Sequence, residues 1–177
     1  MCIKNVFSSE WYGYNYNTSC TARDAVNAID DSIIRKFKGK VPDNITLQTD
    51  NGAQYISKEF NEYLKLIGIN HEYIEKKTPE KNGDIESFHD SIKIDYIWIN
   101  EINNFNEGKE IIENAFNDYN NTRAHSTLDY YSPIQFLDKW NSDSSFREYY
   151  RSFLKNLKDG YRRRKSNYNR RSMIIVS

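Results

Sequence analysis

The chain has 177 residues, enough for one domain with a hydrophobic core and too few to expect two. Its 14 Tyr, 9 Phe and 3 Trp against 3 Pro and 7 Gly describe a packed globular protein and exclude a disordered one. The formal net charge is zero, but its distribution is uneven: from Arg147 to Ser177 there are ten Lys or Arg and two acids, a surplus of eight, so residues 1–146 carry −8. Cys2 and Cys20 are the only cysteines, without a CxxC or paired-His spacing, which supports neither a disulfide framework nor a zinc site and points to a reduced cytosol. No apolar run reaches the roughly 18 residues that span a bilayer. The start MCIKNVFSSEWYGY lacks the layout of a signal peptide. A soluble, cytoplasmic protein without membrane partners is expected.

In chain order, Ile3 to Tyr16 is rich in β-branched and aromatic residues and broken at Ser8-Ser9, which predicts a hairpin. Thr21, with Asp24 three residues on, then opens a helix whose apolar stripe is Ala25, Ala28, Ile29, Ile33 and Phe37, with Gly39 as its stop. Ile45 to Thr49 is strand-sized and ends on Asp50-Asn51-Gly52, so Asp50 belongs at a strand tip. Ser57 caps KEFNEYLKLI, Gly68 ends it, and Ile69 to Glu75 is a further strand. Lys76 to Asn82 is a charged loop with Pro79. The next helix runs from Gly83 to Ile99, with a stripe at Ile85, Phe88, Ile92, Tyr96 and Ile99. Helices follow at Phe105 to Tyr119, from Ser132-Pro133 to near Trp140, and over Phe146 to Leu157; RRRKSNYNRRS is expected to be unstructured. This gives an α/β domain over residues 1–141 and a basic helical or disordered tail over 142–177.

Two carboxylates stand out by position: Asp50 at a strand tip, and Glu86 in the first turns of the helix after the charged loop. Between them lie 35 residues, and their contexts read TDNGAQYISKEF and TPEKNGDIESFHDSIK. With GI, TP, ESF, YNNTRAHSTL and SPIQF following in order, these segments resemble the retroviral-integrase-type catalytic core of insertion-sequence transposases, the DDE superfamily. DNG alone is a common turn sequence; five segments in one order are not a chance pattern.

The resemblance covers about Ile3 to Trp140 and implies a ribonuclease-H-like mixed sheet flanked by helices. It implies that Asp50 and Glu86 are catalytic ligands of Mg²⁺ or Mn²⁺. The chemistry is metal-dependent phosphodiester cleavage and strand transfer on transposon-end and target DNA, in DNA transposition and integration. Two hard cations about 4 Å apart would stabilise the attacking and leaving oxygens. The lysine of the family's ESF segment contacts DNA, and that role carries to Lys93; Asp90 and Lys93 lie roughly 40° and 20° from Glu86 around an ideal helix.

The family's first catalytic aspartate lies on a first strand upstream of the segment matching KNVFSSEWYGY, and no residue here corresponds to it. Hence the expectations of a sheet lacking its first strand, an exposed edge with low solubility or self-association, and a chain inactive alone. Asn5 stands where relatives often carry a second-strand aspartate that is not a ligand. The alternative is a non-catalytic remnant that binds DNA or transposase subunits. Partners are then DNA and a second copy or a full-length transposase. Arg162, Arg163, Arg164 and Lys165, with Tyr161 and Tyr168 among the basic residues, either follow a DNA backbone or solubilise the tail. Arg123 and His125 either serve local structure or DNA contact, or lie in a plain surface loop.

Overall fold

The computed structural model describes residues 1–74, 87–156 and 172–176, the last of these as backbone. The hairpin forms as strands β1 (Cys2–Asn5) and β2 (Trp11–Tyr14), antiparallel, with a register shift between Ile3 and Lys4. Its turn is set by local chemistry. The buried Asn5 side chain accepts from Ser8 N at 2.8 Å and Ser8 Oγ at 3.0 Å, and Ser9 takes φ 57°. Asn5 is therefore a turn-builder.

Helix α1 (Ala22–Phe37) starts on a full capping box between Thr21 and Asp24, as the sequence predicts. It packs against β2 so closely that a Cβ on Gly13 would lie 2.5 Å from Ser32 N, so only glycine fits there. At its far end Lys36 Nζ meets both carboxylate oxygens of Glu10, at 2.5 and 2.6 Å, tying the helix to the hairpin.

Strand β3 (Thr46–Thr49) is followed by a short α2 (Ala53–Ile56) that the sequence did not announce, since four residues show no period. Helix α3 (Lys58–Ile67) has the expected ends: Ser57 Oγ accepts from Phe60 N, and Gly68 closes it at φ 76°. Strand β4 (Asn70–Tyr73) then lies parallel to β3.

The next helix, α4, is α-helical over 87–92 and π-helical over Lys93–Ile97. Trp98 N donates to Lys93 O at 2.8 Å, an i to i+5 bond. This wider turn moves the apolar stripe: Phe88 and Ile92 are buried and Ile97 packs with them, whereas Ile99 is 73% exposed. The expected stripe through Ile99 is corrected accordingly, as is the regular α-helical phase assumed for Lys93. Helices α5 (Phe105–Asn121), α6 (Pro133–Ser142) and α7 (Ser144–Asn156) complete the helical part. Ser132 and Gln135 form a second capping box before Pro133.

The sheet has the order β2-β1-β5-β3-β4, where β5 is Ser172–Val176. β5 lies between β1, to which it is antiparallel, and β3, to which it is parallel. The region expected to be only a helical or disordered tail thus supplies an inner strand. The unpaired edge expected from a missing first strand is absent, because β5 fills the gap. Residues 157–171, with most of the expected unstructured run, lie outside the described residues.

Helices cover both sheet faces. One core holds Ile3, Ile29, Ile45, Leu47, Phe60 and Leu64 under α1 and α3. The other holds Trp11, Phe88, Ile92, Ala115 and Tyr119 under α4 and α5. A third cluster of Leu128, Phe136, Phe146 and Tyr150 joins α6 to α7, with Phe7 from the hairpin turn against it. Such layering is the standard solution for a sheet with two apolar faces. Among the described residues no helix is long and apolar enough to cross a membrane.

Candidate functional site

Asp50 follows the last residue of β3 and is exposed, as its position in the sequence predicts. Its Oδ1 accepts from Gly52 N at 2.8 Å, an Asx turn that fixes the side chain at the strand tip. Beside it, Asn51 Nδ2 donates to Ile74 O at 3.0 Å and Ile74 N donates to Thr49 O at 2.7 Å, clamping the tip to the end of β4.

A second anchor lies beneath. Buried Thr49 shares its hydroxyl with Asp50 O and with His71 Nε2, each at 2.9 Å, and His71 Nδ1 meets Asn61 Oδ1 of α3 at 2.9 Å. His71 thus holds the Asp50 strand end against α3, a role that a lone histidine in a sequence does not reveal. Desolvation lowers its pKa below the ordinary value, and His89 is lowered first by burial and then by Lys93. Both rings are therefore neutral where the unfolded chain would take up protons. Their stabilising effect is full above the ordinary histidine pKa of about 6.5 and is lost as pH falls below it. The thermal midpoint should drop between pH 7.5 and 5.5, and His71→Gln should flatten that profile in a calorimetric series.

Asp24 shows the contrast between a structural and an available carboxylate. It is 2% exposed and accepts from Asn15, Asn17, Ser19 and both the N–H and hydroxyl of Thr21. The Thr21 hydroxyl first, then Ser19, pull its pKa well below the usual carboxylate range. Asp50 is free of such a cage: its Oδ2 makes no hydrogen bond among the described residues.

Glu86 lies outside the described residues, as do Arg162, Arg163, Arg164 and Lys165. Ser87 to Ile92 is helical, within the span over which a helix carrying Glu86 was expected. Lys93 and Asp90 are exposed on it, with Lys93 opening the π-turn. No group of three or more His, Cys, Asp or Glu gathers among the described residues.

The YNNTRAHSTL segment proves to be a clamp. Asn120 is buried, and its side-chain amide pairs with the backbone of Trp11 on the outer strand β2: Oδ1 accepts from Trp11 N and Nδ2 donates to Trp11 O, each at 2.8 Å. Arg123 Nε bonds Asp95 Oδ2 at 2.8 Å and its Nη2 reaches Ser91 Oγ at 3.2 Å, joining α4 to the end of α5. His125 is buried with its ring edge-on to Tyr119 at 4.6 Å. Of the readings left open for Arg123 and His125, local structure is the one these contacts support.

An inner strand paired antiparallel on one side and parallel on the other, and an aspartate at the adjacent strand tip, define a recognisable frame. Residues 67–133 match the model of the integrase core domain family. The chain is 33% identical over 108 residues to the putative transposase InsD for insertion element IS2E of Escherichia coli K12, covering 60% of this chain and 49% of that protein. It is equally similar to transposase InsD for insertion element IS2A/D/F/H/I/K of Escherichia coli, where the match covers 36% of the relative. Over these residues the chain is similar to the DDE transposase and integrase cores.

The chain spans half or less of the length of these curated relatives. In structure the chain is similar to the HTLV-2 integrase catalytic core domain in complex with magnesium (trimeric form), at TM-score 0.50 and 19% identity, covering 76% of this chain and 81% of that one. It is also similar to a chain of the simian T-cell lymphotropic virus intasome in complex with a PP2A regulatory subunit, at TM-score 0.50 and 19% identity, covering 62% and 37%. These likenesses show the ribonuclease-H-like fold. For a divalent cation, the chain offers at Asp50 a hard, exposed carboxylate oxygen at a braced strand tip, which is the donor type Mg²⁺ and Mn²⁺ take.

Proposed function

We propose that this chain carries part of a metal-dependent site for DNA cleavage and strand transfer of the insertion-element transposase type. The observation that carries the reading is Asp50, exposed at the tip of β3 with one carboxylate oxygen held by Gly52 N–H and the other open. Asp50 and Glu86 would hold Mg²⁺ or Mn²⁺, which when bound supplies charge stabilisation to the attacking and leaving oxygens of a phosphodiester.

The chain's own residues then position. Thr49, His71 and Asn61 keep the Asp50 carboxylate from swinging with its strand end, and a rigid ligand is worth more than a mobile one. Lys93, exposed on α4, would meet a DNA phosphate, and the basic run Arg162 to Lys165 would follow a backbone by counterion release. The DNA would be transposon ends and target, with a second copy or a full-length transposase as protein partner.

A specific observation favours low activity for this chain alone. The strand between β1 and β3 is β5, and its residues Ser172 to Val176 include no carboxylate. The second reading, a DNA- or transposase-binding remnant, draws on the same observation.

The test is nicking and strand joining on labelled duplex oligonucleotides in Mn²⁺. Weak activity abolished by Asp50→Ala and by Glu86→Ala is the expected result. Residual activity indifferent to both substitutions would refute the catalytic reading. Salt-sensitive DNA binding that survives both, with no cleavage, would favour the second.

A further inference from the structure

A cavity of about 280 Å³ opens between the hairpin turn, α4 and the loop after α5. Its described lining residues include the cations Lys4 and Arg123, the ring of His125 and five Ser or Thr, and no Asp or Glu among them. In a body whose residues 1–146 carry −8, such a lining stands apart from its surroundings. Cations joined by hydroxyls that can donate attract an anion and repel a metal ion.

Both cations are held in place. Lys4 stands at the register shift between β1 and β2, is 5% exposed, and sets its Nζ over the Phe88 ring at 5.2 Å. A charge shielded from water in this way acts more strongly on what comes near it. Arg123 meets Asp95 through Nε, whereas its Nη2 turns to Ser91 Oγ at 3.2 Å and its Nη1 to His125 Nδ1 at 3.4 Å. A guanidinium only donates, so His125 Nδ1 is the acceptor and the neutral ring carries its proton on Nε2. The contacts that make Arg123 a clamp therefore also hold its guanidinium in one orientation at the cavity wall.

Tyr130 lines the same cavity and is 74% exposed. Its φ of 62° follows a φ of 57° at Asp129. Two successive non-glycine residues in the left-handed region are strained, and such strain persists where the surroundings enforce it. Here Tyr130 N donates to His125 O at 2.9 Å, and Tyr149 Oη donates to Asp129 Oδ2 at 3.0 Å. The turn accepts strain and presents an aromatic ring to solvent beside the cations.

We infer that this cavity receives a backbone phosphate of a nucleic-acid strand, with Tyr130 stacking on the adjoining base. Its volume lies just under the range of about 300–1,000 Å³ for small-ligand sites, which suits one phosphate and not an extended ligand. The several oxygens of a phosphate match several donors at once. An exposed ring beside cations is the arrangement that binds single strands, and an inorganic phosphate would leave that ring unused. Ser87, next in sequence to Glu86, is part of the wall, so a strand seated there passes the start of α4. The inference rests on the reading of DNA as the ligand of this chain, and on neither metal binding nor chemistry at Asp50.

The test is fluorescence anisotropy of a labelled single-stranded oligonucleotide with the full chain in EDTA, over a salt series, with thermal midpoints to show that each variant folds. Ser126→Asp sets a carboxylate at an exposed position of the wall and should weaken binding by about tenfold or more, whereas Ser126→Asn should leave it within about twofold. Lys4→Met keeps the apolar stem and should reduce the slope of log affinity against log salt by about 0.7, the share of one phosphate on a single strand. Tyr130→Ala should weaken binding by about fivefold or more with the slope unchanged. Wild-type affinity in folded Ser126→Asp and Tyr130→Ala would overturn the proposal. So would inorganic phosphate binding that Ser126→Asp abolishes while oligonucleotide affinity stays the same, since the cavity would then be a site for the free anion. A wild-type chain that binds no oligonucleotide would remove the reading of DNA as ligand and this proposal with it, whereas binding indifferent to every cavity variant removes this proposal alone.

Discussion

Deleting residues 172–177 will abolish the cooperative unfolding transition of this protein. The segment lies after a strongly basic stretch at the end of the sequence, where trimming ordinarily costs little. Here it is an inner strand with partners on both sides, in register over Cys2 to Asn5 on β1 and Thr46 to Gln48 on β3. Its loss opens both walls of the slot beside fully buried Ile3 and Leu47. Lost ladder bonds at about 1 kcal/mol each, with the desolvation of the groups left behind, consume a total stability of the order of 5–15 kcal/mol. Circular dichroism should show a broad, non-cooperative melt and light scattering should show aggregates. A subtler variant separates pairing from bulk: Ile174→Pro removes one donor from an inner strand and should cost about 3 kcal/mol or more. A truncated chain that stays monomeric with an unchanged midpoint would show that β5 contributes nothing to the sheet.

Asn120→Ala should destabilise the fold by about 2–4 kcal/mol, a large effect for a residue with no place in the chemistry. The amide of Asn120 replaces a neighbouring strand for Trp11, taking up its N–H and its C=O at 2.8 Å each. Truncation leaves both backbone groups buried and unpaired, which costs more than the loss of the two bonds themselves. Trp11 is 1% exposed, and its ring stands edge-on to Phe88, Phe116 and Tyr119, so the disturbance enters the core shared by α4 and α5. Chemical denaturation should show a lower midpoint with an unchanged slope. Asn120→Asp, which sets a buried carboxylate oxygen against Trp11 O, should lower the midpoint at least as far as Asn120→Ala.

The sequence announces those parts of the fold whose causes are local. Thr21 with Asp24, Ser57 with Gly68, and Ser132 with Pro133 mark helix ends because a cap is made by residues three apart. Asp50 is legible for the same reason, since its turn and its strand are contiguous. β5 is not, because Ser-Met-Ile-Ile-Val has neither period nor turn signal and its partners begin about 170 positions earlier. The π-turn at Lys93 is hidden in an apolar stripe that reads as ordinary helix until an i to i+5 bond widens it. Asn120 and His71 escape notice because each acts across 109 or 22 residues, and nothing near them in sequence shows what they hold.

At the candidate site, the geometry places Asp50 on a strand tip braced by Thr49, His71 and Asn61, and the remaining ligand is proposed from its position in sequence. The most direct measurement is Mn²⁺ binding, followed by electron paramagnetic resonance and titration calorimetry on the intact chain. Saturable binding that weakens at least tenfold in Asp50→Asn and in Glu86→Gln, with the thermal midpoint of the free protein unchanged in both, is the predicted result. Mn²⁺ affinity equal in the wild type and both variants would contradict a metal site at Asp50 and Glu86.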